Sequence, residues 1–162
     1  MKKLLCVFLL LPLLALADGF TAGKDNTSQT GFTANDYTLL TWATATHVPS
    51  GSFSNNGWTP VPSSATEVKQ VCFGGQIWVS GNATGNPPIY VAKIIKNGYP
   101  GTHTRAAISM YGTFPYSQVI PIAACDWAQP GDEYKIWLYT TNSAAIVDGH
   151  PAHTWWDGWV VQ

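Results

Sequence analysis

The sequence predicts an all-β fold, a jelly-roll β-sandwich of two antiparallel sheets with about 8–10 strands. Strand-like segments recur roughly every ten residues, and no segment has the period of a convincing helix. Only 10% of the residues are charged, whereas the chain carries 8 Trp, 7 Tyr and 6 Phe. Near the C-terminus, a Pro130-Gly131-Asp132 turn starts an alternating aromatic and aliphatic strand, and a last strand ends the chain.

The N-terminus predicts export. Lys2 and Lys3 precede an apolar run over residues 4–16, and Ala15-Leu16-Ala17 is a small-x-small cleavage site. We interpret residues 1–17 as a signal peptide, because the apolar run is too short to span a bilayer as a stable helix. A buried N-terminal helix is the alternative. The mature protein is expected to be secreted or displayed at the cell surface, without stable membrane insertion.

The mature chain has the length of a single domain. Residues 18–31 are rich in Gly, Thr, Ser and Asn, with few apolar side chains, and predict a flexible lead-in. Residues 32–162 are then the jelly-roll domain.

Each strand is predicted from a short run of β-branched, aromatic and aliphatic residues between turn signals. The predicted strands cover residues 39–45, 68–80, 89–95, 105–111, 118–124, 133–141, 144–147 and 154–161. Asn55-Asn56-Gly57 predicts a hairpin turn, and Lys96-Asn97-Gly98 predicts a tight turn. Gly74-Gly75 predicts a bulge or a close backbone approach within the second predicted strand.

Two cysteines, Cys72 and Cys125, remain after cleavage of the signal peptide, an even count in an oxidising compartment. They are candidates for a disulfide, which would stabilise the fold by around 4 kcal/mol on the chain-entropy model. Two buried free thiols are the alternative, because Cys also packs as a small hydrophobe.

The last two long strands are apolar on both faces. In the first of them, Tyr134, Ile136 and Leu138 share the natural core face, and Lys135, Trp137 and Tyr139 share the other. The terminal strand carries Trp156 and Val160 on one face, and Trp155, Trp159 and Val161 on the other. Because large exposed apolar patches are rare on monomers, we expect a partner subunit to cover the second face. A loop of the same chain is the alternative cover.

Several motifs in order make the chain resemble the globular head domain of complement component 1q, within the tumour-necrosis-factor-like jelly-roll superfamily. The matching segments are Gly51-Ser52-Phe53, Trp58-Thr59-Pro60, Lys96-Asn97-Gly98, Gly131-Asp132 and Trp156-Asp157-Gly158-Trp159-Val160. The chain departs from the family where Thr66-Glu67-Val68 stands in place of a Gly-x-Tyr, and no collagen-like repeat precedes the domain.

The resemblance implies a homotrimer around a three-fold axis. Carried over by position, Trp137 and Tyr139 would lie toward the subunit interface, with Trp155 and Trp159 adjoining them. The resemblance also implies a glycan or protein ligand on surface loops. No position matches a calcium site of the family.

Catalytic and metal sites are not predicted. His150 and His153 with Asp148 could approach a metal, but Pro151 disfavours a helix there and no third ligand has a standard spacing, so solvated loop histidines are the better interpretation. Neither a nucleophile elbow nor a phosphate-binding glycine loop is present, and we expect no enzyme and no cofactor. Without Lys2 and Lys3, six basic and nine acidic side chains remain, which argues against nucleic-acid binding.

The sequence therefore predicts an exported, trimeric, non-catalytic head for extracellular recognition, adhesion or assembly. Two alternatives stay open. One is a monomeric carbohydrate-binding module that uses exposed Trp and Tyr as stacking platforms. The other is a structural protein of a fibre or virion.

Overall fold

The described residues form two antiparallel sheets packed face to face, as a jelly-roll sandwich should. The structure, a computed structural model, describes residues 18–46, 51–81, 88–98, 112–113 and 117–161. The strands are β1 Gly19–Gly23, β2 Asp36–Leu39, β3 Thr44–Thr46, β4 Ser52–Ser54, β5 Gly57–Thr59, β6 Lys69–Ser80, β7 Ile89–Lys96, β8 Gly112–Thr113, β9 Ser117–Ala128, β10 Tyr134–Thr140, β11 Ile146–Val147 and β12 Trp155–Val160. No helix occurs within these ranges.

We call the two layers sheet I and sheet II. Sheet I has the order β9-β6-β12-β1-β3, and the short β11 pairs with β6 beyond the end of β12. Sheet II has the order β4-β5-β10-β7-β8, and β2 pairs with β10 beside β5. Both sheets are antiparallel at every described pairing, so each strand alternates between a core face and an outer face.

Aromatic rings fill the space between the sheets. Phe20 of β1 lies 4.5 Å from Trp156 and 4.8 Å from Trp58, centroid to centroid, and Phe73 of β6 lies 4.9 Å from Tyr134 of β10. All five side chains are buried. Gly158 makes this packing possible, because a Cβ at that position would lie 2.7 Å from atoms of both Phe20 and Trp58.

The expected flexible lead-in at residues 18–31 is wrong. Residues 19–23 form β1, which pairs with β12 on one side and β3 on the other. Phe20 and Ala22 supply the alternating core face, and the sequence interpretation missed it because only two apolar side chains mark this strand. The described jelly roll therefore includes β1, which lies before the predicted domain start at Phe32.

The first predicted strand, residues 39–45, is two strands in different sheets. β2 ends at Leu39 in sheet II and β3 begins at Thr44 in sheet I. Leu40 and Trp42 lie in the crossing segment and are buried, so their hydrophobicity reports core packing rather than a strand.

Strands β6, β7, β9, β10, β11 and β12 confirm the predictions apart from small shifts at their ends, except that β9 extends to Ala128 and β11 is only two residues long. The short strands β4, β5 and β8 were not predicted as strands. Asn55 and Asn56, with φ of 50° and 64°, form the predicted hairpin turn between β4 and β5. At Gly74-Gly75 the pairing of β6 runs without a bulge, and the second predicted option, a close approach, is found: a Cβ on Gly75 would lie 2.5 Å from the Trp155 carbonyl oxygen. The predicted strand at 105–111 lies outside the described residues.

Candidate functional site

The four aromatic residues predicted to line a subunit interface lie on opposite sides of the sandwich. Trp137 and Tyr139 are on the outer face of sheet II, because Tyr134, Ile136 and Leu138 of the same strand are buried in the core. Trp155 and Trp159 are on the outer face of sheet I, because Trp156 and Val160 are buried in that core. The expectation that the two pairs adjoin is therefore wrong. Sequence periodicity assigns each side chain to a face of its own strand, but it does not say which sheet the strand joins.

The outer face of sheet II offers little open apolar surface. Val91 and Ile95 of β7 point outward with Tyr139 and Lys135, yet they are only 6% and 1% exposed. Trp137 and Tyr139 are half-buried, and Tyr139 contacts the ring of Tyr37 at 5.3 Å.

The outer face of sheet I is different, and we call it the sheet I face. Of the six exposed large hydrophobic side chains in the described chain, five belong to it: Val119, Trp127, Ile146, Trp159 and Val161. Trp127 is the most open of them at 61% exposed. Trp155, Pro121 and Ala123 extend the apolar surface between them. The clustering of exposed hydrophobic side chains on one face makes it the candidate functional site.

The predicted disulfide lies within this face. Cys72 of β6 and Cys125 of β9 are directly opposed in register and bonded to each other, so the disulfide prediction is confirmed and the free-thiol alternative is not. Trp159 of β12 is the partner of Cys72 on its other side. Disulfide and indole thus form one row across three strands.

One carboxylate stands among these groups. Asp157 is the outward residue between Trp155 and Trp159, and it is the only ionisable side chain that the described strands of sheet I present on this face. Its Oδ1 atom is buried and has no hydrogen-bond partner. Burial raises the pKa of Asp157, and the nearby backbone N–H groups of Gly74 and of Asp157 itself, neither of which makes a hydrogen bond to Oδ1, oppose this only in part.

The histidine pair covers one end of the face. His153 packs on Trp78 with ring centroids 4.5 Å apart, and Gln76 donates from Nε2 to the Ala152 carbonyl oxygen at 3.0 Å. His153 Nδ1 lies 3.4 Å from Asp148 Oδ1, and the ring of His150 lies 4.7 Å from that of His153. Within the described ranges no group of three or more His, Cys, Asp or Glu side chains is arranged to hold a metal ion. His47 and His103 lie outside those ranges.

Sequence reasoning missed the contribution of β9 to this site. The predicted strand ended at Ala124, four residues short, and so did not include Trp127. The signal was present, because Val119, Pro121, Ala123, Cys125 and Trp127 alternate with the buried Ile120 and Ile122.

Comparison with known proteins identifies the fold. No family model matches the sequence, and no curated protein matches it. Among solved structures, the chain is similar to murine APRIL, with a TM-score of 0.60 and 11% sequence identity over 88% of this chain and 98% of that chain. The fold is a tumour-necrosis-factor-like jelly roll. The predicted jelly-roll fold is thereby confirmed, whereas membership of the superfamily, and a complement-type head in particular, stay predictions. Across the part of this jelly roll that the structure describes, no helix is long and apolar enough to cross a membrane.

Proposed function

We propose that this tumour-necrosis-factor-like jelly roll is an extracellular head that acts by binding and assembly rather than by catalysis, and that it forms a homotrimer through the sheet I face. The observation that supports this most is the concentration of Val119, Trp127, Trp159 and Val161 on one face. Monomeric proteins rarely leave such a surface uncovered.

The charge of the face also favours contact with copies of the same chain. Asp157 is the only ionisable side chain that the described strands point outward on it, and the basic side chain of Lys69 stands only at its end, beside Trp127. The buried centres of protein interfaces are depleted in charge and enriched in Trp, which fits this composition. A nearly neutral face can meet further copies around a symmetry axis with little like-charge repulsion.

An extracellular location is supported by the disulfide and by the predicted signal peptide. Cystine bonds persist in oxidising compartments and are rare in the cytosol. The Cys72–Cys125 bond is present in the fold, whereas residues 1–17 lie outside the described ranges.

The mass of the exported chain in solution tests the proposal. Light scattering coupled to size-exclusion chromatography should give three times the protomer mass. Trp159→Lys, which puts a charge into the sheet I face, should give monomers that remain folded. Tyr139→Lys is the matched control, because it places the same charge on the outer face of sheet II, and it should leave the trimer intact.

Two results would contradict this assignment. A wild-type chain that stays monomeric at both acidic and neutral pH would contradict the homotrimer. A trimer that is lost in Tyr139→Lys and kept in Trp159→Lys would place the interface on sheet II, where the sequence also predicted interface residues.

A monomeric carbohydrate-binding module is the second candidate, favoured by one observation. Trp127 borders an open depression of about 350 Å³ that is also lined by Lys69, Gln70 and Asp18. An exposed indole beside hydrogen-bonding side chains suits a sugar ring, which stacks with its apolar face and is oriented by its hydroxyls. Glycan-array binding by a monomeric wild-type chain, lost in Trp127→Ala, would favour this candidate over the trimer.

A further inference from the structure

Asp157 is the one charged side chain among the outward residues of the described sheet I strands, and it stands between Trp155 and Trp159 on that face. In register it is flanked by Gly74 of β6 and Thr21 of β1, and on its own strand by the outward Trp155 and Trp159. A position between two indoles is the place where a self-association surface should be most fully desolvated.

The local packing confines the carboxylate. A Cβ on Gly74 would lie 2.7 Å from Asp157 Oδ1, so the side chain rests on bare backbone of the neighbouring strand. Because Oδ1 is buried without a hydrogen-bond partner, part of the carboxylate has already lost its water in the single chain.

No cation faces Asp157 from the strands around it. The outward side chains nearest to it are Thr21 of β1, Cys72 and Gln76 of β6, and Ala123 and Cys125 of β9. The ionisable groups closest along the sheet stand at its two ends: His153 over Trp78, and Lys69 with Asp18 around the Trp127 depression. A second protomer covering this face would therefore remove solvent from Asp157 without supplying a counter-charge from its own equivalent strands.

We infer that Asp157 makes self-association through the sheet I face acid-dependent, with the protonated side chain permitting assembly and the carboxylate opposing it. This inference rests on the proposed trimer. An unpaired carboxylate at a desolvated contact carries a large penalty, and several copies brought near one axis repel one another. A protonated carboxyl group removes both effects.

The sign follows from proton linkage. The assembled state desolvates Asp157 more than the free protomer does, so the assembled state binds its proton more tightly. Assembly therefore takes up protons, and the association constant rises as the pH falls.

Sedimentation equilibrium of the exported chain at about pH 4.5 and about pH 7.5 tests the inference. The wild-type dissociation constant should be lower at the acidic pH by about tenfold or more, because one unit of pKa difference is a tenfold change in an equilibrium constant. Asp157→Asn should associate tightly at both values. Glu67→Gln, which neutralises an exposed acid in the loop before β6, should keep the wild-type pH dependence.

The outcomes separate the inference from the proposal beneath it. The inference would be overturned if the wild type and Asp157→Asn assembled equally at both pH values. It would also be overturned if Asp157→Asn kept the pH dependence of the wild type. Either result would leave the proposed trimer unaffected. A second neutral variant, Asp157→Ala, guards against a defect specific to Asn. If the wild type and both variants are monomeric at both pH values, the acid-dependent assembly and the proposed trimer are both overturned. Intrinsic tryptophan fluorescence confirms that each variant is folded.

Discussion

Lys96 Nζ lies 2.7 Å from Asp132 Oδ2, and this ion pair joins the end of β7 to the turn before β10. Asn97 strengthens the junction, because its side-chain amide donates to Asp132 Oδ1 and its Oδ1 accepts from the Glu133 N–H at 2.7 Å. Burial alone would raise the pKa of Asp132, but hydrogen bonds from Lys96, Gln129 and Asn97 outweigh burial and hold the pKa below its ordinary value. The Lys96-Asn97-Gly98 and Gly131-Asp132 motifs of the sequence therefore contact each other, through Lys96 and Asn97 on one side and Asp132 on the other.

Asp132→Ala should lower the free energy of unfolding by about 3 kcal/mol, because it leaves Lys96 partly buried with a weaker acidic partner, Asp126, at 3.3 Å. Urea denaturation followed by tryptophan fluorescence measures the change. The control is Lys135→Met, which breaks the more exposed pair with Glu133 and should cost less than about 1 kcal/mol. Equal losses in the two variants would show that the Lys96–Asp132 contact has no special weight.

Lys24 should make stability depend on alkaline pH. Burial lowers the pKa of its ammonium group from its ordinary value of 10.5 to about 8, and nearby Asp25 opposes this only partly. Between these two values the unfolded chain binds more protons than the folded chain, so the free energy of unfolding should rise with pH in that window. The measurement is the difference between wild type and Lys24→Met in urea at about pH 8 and about pH 10. A difference that does not change with pH would show that Lys24 titrates normally.

Removal of the disulfide should destabilise the fold by about 4 kcal/mol, since the cysteines are 53 residues apart and the open chain gains loop entropy. Guanidinium denaturation of the oxidised wild type and of the Cys72→Ala, Cys125→Ala double variant measures this difference in the free energy of unfolding. Thiol titration of the denatured wild type should detect no free sulfhydryl from either residue. A reactive pair of thiols would contradict the bond.

Gly158→Ala should cost about 1–3 kcal/mol, because the added methyl group would overlap Phe20 and Trp58 in the closed aromatic core. Gly23→Ala is the control on β1, where the nearest atom to a new Cβ is 3.6 Å away and the change should be small. Thermal unfolding of both variants makes the comparison. If Gly158→Ala kept the thermal stability of the wild type while Gly23→Ala lost it, close packing around Gly158 would be contradicted.

Strands whose side chains alternate clearly between apolar and outward residues were predicted from the sequence. The strand predictions were wrong where tertiary packing determines whether a segment is a strand. β10 and β12 were predicted almost to the residue, because each alternates between large core residues and outward residues. β1 was missed because its pairing with β12 and β3, rather than its composition, makes it a strand.

The candidate site was predicted in part for the same reason. Periodicity indicated that Trp155 and Trp159 lie outward, and the structure agrees. It could not reveal that Trp137 points away from them, because the two sheets face opposite directions across the core shared by Phe73 and Tyr134. Trp127 belongs to the sheet I face because β9 continues to Ala128, beyond the predicted end of the strand at Ala124.

The bond between Cys72 and Cys125 has a consequence for strand register. β9 is a 12-residue strand paired along its length with β6, and sliding it by one residue would turn every side chain to the opposite face. Ile120 and Ile122 would then meet solvent, while Val119 and Trp127 would enter the core. A covalent link between directly opposed residues forbids that slip, so the bond holds Val119 and Trp127 on the surface that the protein shows to its surroundings.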